Sequence, residues 1–126
     1  MNRKPILLAI VDDEAIYRKL LIRKLLQHGM MVMLEAEHGY DLLLQLYSGD
    51  ILPHIIIMDI EMPVMDGYQT VNRLKAKWKG IKVIAHSSLT DDENIEKIIN
   101  CGADSFVAKP DKTDKLLQAI MALTSK

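Results

Sequence analysis

Apolar positions along the chain fall into two patterns: short unbroken runs, and stripes recurring every three or four residues. Short runs rich in β-branched residues predict buried strands of a parallel sheet. Ile6-Leu7-Leu8-Ala9-Ile10-Val11 is the first such run, and it stops at Asp12-Asp13-Glu14. Ile16, Tyr17, Leu20, Leu21, Lys24 and Leu25 then recur at helical spacing, which predicts a helix to about His28 with Gly29 just beyond its end. Met31 to Ala36 reads as a second strand, and Gly39 to Tyr47 as a second helix with Leu42, Leu43 and Leu46 on its apolar face. Ser48-Gly49-Asp50 and Pro53 mark a loop. His54-Ile55-Ile56-Ile57-Met58 is a third strand, ending abruptly at Asp59.

Asp66 with Gln69 three residues on has capping-box spacing for a third helix, which carries Val71, Leu74 and Trp78 and ends near Gly80. Lys82 to His86 reads as a fourth strand, followed by Ser87-Ser88. Thr90 and Glu93 have the same spacing for a fourth helix, ending near Cys101-Gly102. Ser105 to Ala108 is a short fifth strand closed by Lys109-Pro110. Asp111 is placed to cap a last helix carrying Leu116, Leu117, Ile120, Met121 and Leu123.

Five strands alternating with five helices imply right-handed crossovers and a parallel sheet covered on both faces, an α/β doubly wound architecture. The polar residues then gather at strand ends. Asp12 and Asp13 follow the first strand, Asp59 the third, Ser87 the fourth and Lys109 the fifth. In such a sheet these carboxyl ends emerge on one edge, where ligands collect.

Composition narrows the chemistry. The length of 126 residues suits one domain with one core. A net charge of −1 and few aromatics give no basis for direct nucleic-acid binding. One cysteine, Cys101, excludes an internal disulfide and leaves the cytoplasm as the default compartment. The only apolar run near the start is six residues long, too short for a signal core or a membrane span. His28, His38, His54 and His86 lack metal-ligand spacing.

Converging carboxylates repel one another, and a divalent cation relieves the repulsion. Mg²⁺ prefers oxygen ligands and is usually held by one or two carboxylates plus a phosphate. Lys109 adds a mobile positive charge and Ser87 a hydroxyl. Acid pair, metal, lysine and hydroxyl suit a transferring phosphoryl group, for which positioning and charge neutralisation dominate catalysis. A carboxylate can be the nucleophile, and Asp59 stands alone at the tip of the middle strand.

These residues also carry a resemblance. Val11-Asp12-Asp13-Glu14, Met58-Asp59 through Met65-Asp66-Gly67, Val83 to Ser87, Cys101 to Asp104 and Phe106 to Pro110, in this order, resemble the response-regulator receiver domains of two-component signalling over essentially the whole chain. The resemblance implies a single receiver domain over residues 1–126, with a flavodoxin-like (βα)5 fold and strand order 2-1-3-4-5. It implies that Asp59 accepts a phosphoryl group from a sensor histidine kinase or phosphotransfer protein. Asp12, Asp13, Asp59 and the backbone carbonyl of Glu61 would hold Mg²⁺; Ser87 and Lys109 would bind the phosphoryl oxygens; Ser87 and Phe106 would act as the switch. A cis peptide at Lys109-Pro110 is implied too. The chain would be a phosphoacceptor that assists its own phosphotransfer and dephosphorylation, not a free-standing enzyme. The fourth helix, fifth strand and last helix would signal to a downstream protein or attached output domain, with a homodimer through that face left open.

Some positions depart from the family pattern. Ser88 stands where a very small residue is usual, and His86 where an aliphatic is usual. His86 either packs against a neighbouring helix or titrates near neutral pH. Phe106 has no hydroxyl to offer at the surface and is expected to stay buried more of the time. Three rivals remain at this point: a Mg²⁺-dependent phosphatase with an aspartate nucleophile, a flavodoxin-like cofactor carrier, and a receiver-like binding module that works unphosphorylated.

Overall fold

The computed structural model describes residues 5–111 and 113–124. Strands β1 (Leu7–Val11), β2 (Met31–Ala36), β3 (Ile55–Met58), β4 (Lys82–Ser87) and β5 (Ser105–Ala108) alternate with helices α1 (Ala15–Gln27), α2 (Gly39–Ser48), α3 (Gly67–Lys77), α4 (Asp92–Cys101) and α5 (Lys115–Thr124). All strand pairs are parallel, in the order β2-β1-β3-β4-β5.

Alternate residues of the strands feed two cores. Ala9, Val11, Ile56, Met58, Val83 and Ala85 face α2, α3 and α4. Leu8, Ile10, Ile55, Ile57, Ile84 and Val107 face α1 and α5. Burial on both faces explains why β3 reads as an unbroken isoleucine run, and each fully buried side chain there stabilises the sheet by roughly 2 kcal/mol.

The register positions the site. Val11 pairs with Met58, and Met58 with Ala85. Asp12 and Asp59 therefore leave the sheet side by side, level with His86. Ser87 pairs with Ala108, so Lys109 emerges next to them. Pinning amides reinforce the exits: Asp59 N–H donates to the Val11 carbonyl at 3.0 Å and Lys109 N–H to the Ser87 carbonyl at 2.9 Å.

The loop after β3 returns tightly. Gly67 N–H donates to the Ile60 carbonyl at 2.7 Å, and a Cβ on Gly67 would lie 2.8 Å from the Asp59 carbonyl oxygen. No residue with a side chain fits there without moving backbone. Asp66 and Gln69 form the expected capping box on α3.

Three local expectations change. The cap of α4 is Asp91, whose side chain accepts from Asn94 N–H, not Thr90. The two spacings overlap by one residue, and Asp91 takes the helix start. In α1 the buried residues are Arg18, Leu21 and Leu25, while Ile16 and Leu20 are 79% and 57% exposed. Arg18 turns that face inward because its guanidinium donates to the Asp12 carbonyl at 2.5 Å and to Glu35 at 2.8 Å. α5 begins later than Asp111 suggests. The Asp111 carboxylate nevertheless accepts from the Lys115 and Leu116 amides, at 2.9 and 3.0 Å, and Asp114, just before the helix, takes φ 56°.

Candidate functional site

At the carboxyl edge of the sheet, carboxylate oxygens of Asp12, Asp13 and Asp59 lie within 4.8 Å of one another. Asp12 and Asp59 are buried, at 3% and 9% exposure, and Asp13 is exposed. Lys109 reaches across from β5. Its ammonium lies 2.6 Å from Asp12 Oδ2, 3.3 Å from Asp59 Oδ2 and 3.9 Å from Glu14. The other oxygens of the two buried acids are held by backbone: Asp12 Oδ1 accepts from Glu14 N–H at 2.9 Å, and Asp59 Oδ1 from Ile60 N–H at 2.7 Å.

Electrostatics follow from burial. Desolvation pushes the Asp59 carboxyl above its ordinary range; the Lys109 charge opposes this and the Asp12 charge adds to it. Burial alone would lower the Lys109 ammonium, but the Asp12 hydrogen bond and the Asp59 and Asp12 charges hold it above its ordinary value. The lysine is a fixed cation inside an acidic corner. Oxygen donors that can all turn to one point, one of them open to solvent, suit a hard cation such as Mg²⁺.

Ser87 is buried at the end of β4, and its Oγ accepts from Leu89 N–H at 3.1 Å. Ser88, next along, is exposed. Phe106 is half-buried against the α2–α3–α4 core, beside a groove shared with Thr90, Ile95 and Pro110. Glu61 is exposed and shares a groove of about 470 Å³ with Asp13, Asp66, Tyr68 and Leu89. The Lys109-Pro110 peptide is cis. A larger cleft, about 790 Å³, lies at the opposite edge of the sheet beside Pro53, His54, Trp78 and Lys82, and among the described residues no Asp or Glu lines it.

The sequence reading missed two residues. Tyr17 turns its ring toward the Lys109 ammonium, 4.5 Å from the ring centroid. Arg18 holds the Asp12 backbone. A polar side chain inside a helical apolar stripe was the available signal for Tyr17. His86 does pack against a helix, through Tyr17, and burial pushes its pKa below the ordinary value, with the Val107 hydrogen bond opposing this.

With this geometry in place, likeness to other proteins becomes informative. Residues 8–121 match the sequence model of the response regulator receiver domain. The chain belongs to the response regulator receiver family. The receiver is 32% identical over 111 residues to the chemotaxis protein CheY of Halobacterium salinarum, covering 88% of this chain and 90% of that one. It is 34% identical over 102 residues to the sensor histidine kinase CheAY of Helicobacter pylori, covering 79% of this chain but only 13% of the kinase. Among solved structures, the CheX-CheY-BeF3-Mg+2 complex from Borrelia burgdorferi superposes with TM-score 0.90 at 27% identity, covering 97% of this chain and 91% of that one. Among the described residues no helix is long and apolar enough to cross a membrane.

Proposed function

We propose that the receiver accepts a phosphoryl group on Asp59 from a phosphohistidine of a sensor kinase or phosphotransfer protein, and that this loading changes the α4-β5-α5 face. The observation that carries the reading is the Lys109 ammonium lying between Asp12 and Asp59, 2.6 and 3.3 Å away, at the mouth of a three-carboxylate corner.

In the transfer, a carboxylate oxygen of Asp59 attacks phosphorus. The phosphorus–nitrogen bond breaks, and the imidazole nitrogen leaves with the electron pair and takes a proton. An acyl phosphate remains on Asp59. Asp12, Asp13, Asp59 and the Glu61 carbonyl would hold Mg²⁺, which would neutralise charge on phosphoryl oxygens. Lys109 exchanges its carboxylate partners for a phosphoryl oxygen, a switch its flexible stem allows. Loss of the group is attack by water on phosphorus, with release of inorganic phosphate and return of the Asp59 carboxylate.

The coupling outward is a population shift. At rest the Ser87 hydroxyl is engaged with Leu89 N–H in its own loop. Phosphoryl oxygens favour the state in which Ser87 has turned to them, and the loop leading to α4 follows. Phe106, half-buried beside Thr90 and Ile95, moves with that loop. A downstream protein, an attached output domain or a second copy of the chain reads the altered α4-β5-α5 face. The whole chain then works as one cytoplasmic receiver domain.

Acetyl phosphate with Mg²⁺ tests this by intact mass. The wild-type chain gains one phosphoryl group, and Asp59→Asn gains none. A wild-type chain that never gains mass, or an Asp59→Asn chain that does, overturns the assignment. Mass is the better readout than fluorescence, because Trp78 meets Tyr47 edge to face at the end of α3, at the opposite edge of the sheet.

A further inference from the structure

We propose that Tyr17, pinned by His86, is a positioning residue that aims Lys109 at the phosphoryl group. The inference rests on the reading of Asp59 as phosphoacceptor and adds a residue pair to the machinery around it.

Lys109 has carboxylates on one side and an aromatic face on another. Its ammonium lies 4.5 Å from the Tyr17 ring centroid, while Asp12 and Asp59 take it at 2.6 and 3.3 Å. A lysine stem is flexible, and the two acids hold the ammonium from one side only. The ring closes the side that the acids leave open, and its negative face attracts the cation.

A ring can aim a lysine only if the ring itself is fixed. Tyr17 is fixed at its far end. Its hydroxyl meets His86 Nε2 at 2.5 Å, and the two rings lie 5.7 Å apart, tilted by 40°. His86 is 1% exposed, and its Nδ1 lies 2.8 Å from the Val107 carbonyl. A carbonyl can only accept, so Nδ1 carries the proton. Nε2 of the neutral ring is then an acceptor, and the Tyr17 hydroxyl donates to it. Burial favours that neutral ring.

The pair is anchored on the strand ends that carry the phosphoryl-binding groups. His86 immediately precedes Ser87, and it pairs across the sheet with Val107, two residues before Lys109. Lys109 N–H in turn donates to the Ser87 carbonyl. From Lys109 through the Tyr17 ring, His86 and Val107 the contacts return along β5 to Lys109. Helix α1 is thereby tied to the moving serine and to the lysine at once. A merely structural role would have Tyr17 and His86 only fasten α1 to the sheet.

Four chains separate these roles: wild type, Tyr17→Phe, Tyr17→Leu and the double variant Tyr17→Phe/His86→Leu. Each is followed by intact mass at saturating acetyl phosphate and Mg²⁺, by Mg²⁺ titration, by thermal unfolding, and by the NMR shifts of the Lys109 ε-methylene protons. Tyr17→Leu is expected to lower the maximal phosphorylation rate about fivefold, the order set by losing one partly buried cation–π contact. Its Mg²⁺ half-saturation stays unchanged, and the ring-current shift of the Lys109 protons disappears. Tyr17→Phe keeps the ring but frees it, and lowers the rate by about twofold at reduced thermal stability. The double variant removes the nitrogen left unpaired in the buried site but also the Nδ1 donor to the Val107 carbonyl, so stability recovers in part while the rate does not. A rate that recovers with stability, or a Tyr17→Leu chain with wild-type rate and unmoved Lys109 resonances, overturns the proposal. A wild-type chain that is never phosphorylated overturns the reading of Asp59 and this proposal with it, whereas loss of the ring-current shift alone still locates Lys109 over Tyr17.

Discussion

Lys109 Nζ lies 2.6 Å from Asp12 Oδ2, and both side chains are almost wholly withdrawn from water. One cation thus compensates a corner that also contains Asp59, 3.3 Å from the same nitrogen. Asp59 is the acid left under-compensated, and burial raises its folded pKa above the ordinary 3.8. A raised carboxyl favours the protonated form in the folded state. Stability is therefore lost as pH climbs from 3.8 through the folded value. Asp59→Asn removes that loss. In metal-free buffer at neutral pH it should raise the melting temperature by about 4 °C, the shift that ~1 kcal/mol gives a domain of this size. The gain should shrink toward zero as pH falls to the carboxylate range. Melting curves of the two chains across pH check this, and equal melting temperatures at neutral pH would refute it.

The same repulsion suits the corner to a divalent cation. Mg²⁺ should stabilise the wild-type chain in a saturable way, by roughly 2.7 kcal/mol at a hundredfold excess over the dissociation constant. Asp13 is exposed, so Asp13→Asn should leave the metal-free melting temperature within about 1 °C of wild type. It should remove most of the Mg²⁺ response. Thermal melts over a Mg²⁺ series measure both effects, and an undiminished response in Asp13→Asn would exclude Asp13 as a ligand.

How much of this was legible beforehand depends on the range of the interaction. β2 and β5 have the bounds their apolar runs predict, and Leu42, Leu43 and Leu46 of α2 are all buried as read. Those features are set by neighbours within a few residues. The convergence of Asp12, Asp13, Asp59 and Lys109 was legible because parallel strands must put their carboxyl ends on one edge. Two kinds of feature were not. Overlapping local signals, such as Thr90 with Glu93 against Asp91 with Asn94, cannot be separated by spacing. Contacts between distant segments leave little trace: Tyr17 and His86 are 69 residues apart. The trace they did leave was a histidine ending the apolar run Val83-Ile84-Ala85, since a buried imidazole needs partners for both nitrogens. The inward turn of Arg18 depends likewise on Glu35, in another element.

The loop after the site stores strain at one residue. Val64 takes φ 67° and is 76% exposed. A β-branched residue in the left-handed region is strained by about 1–3 kcal/mol. Glycine adopts that conformation freely but costs the chain roughly 0.5–1 kcal/mol of added unfolded-state freedom. Val64→Gly should therefore stabilise the fold by about 1 kcal/mol. Urea unfolding should show a higher midpoint at an unchanged slope. A lower midpoint would mean that the left-handed turn is not populated in solution.

His86 predicts a second pH dependence, opposite in sign to that of Asp59. Burial, with the nearby Lys109 charge, depresses its folded pKa below the ordinary 6.5, although the Val107 bond opposes this. The unfolded chain then binds a proton at higher pH than the folded chain does. The associated stability is complete above 6.5 and is lost as pH falls from there through the folded value. In His86→Leu that loss is gone. The substitution also leaves the Tyr17 hydroxyl without its acceptor and the Val107 carbonyl without the imidazole donor, so the variant should start about 1–3 kcal/mol less stable at neutral pH. What distinguishes it is slope. Between about pH 7 and 5 the wild-type stability should fall more steeply than that of His86→Leu. His28, His38 and His54 are present in both chains, so the difference in slope belongs to His86. Urea midpoints at a series of pH values measure it, and parallel curves would show that the imidazole protonates without breaking its bond to Tyr17.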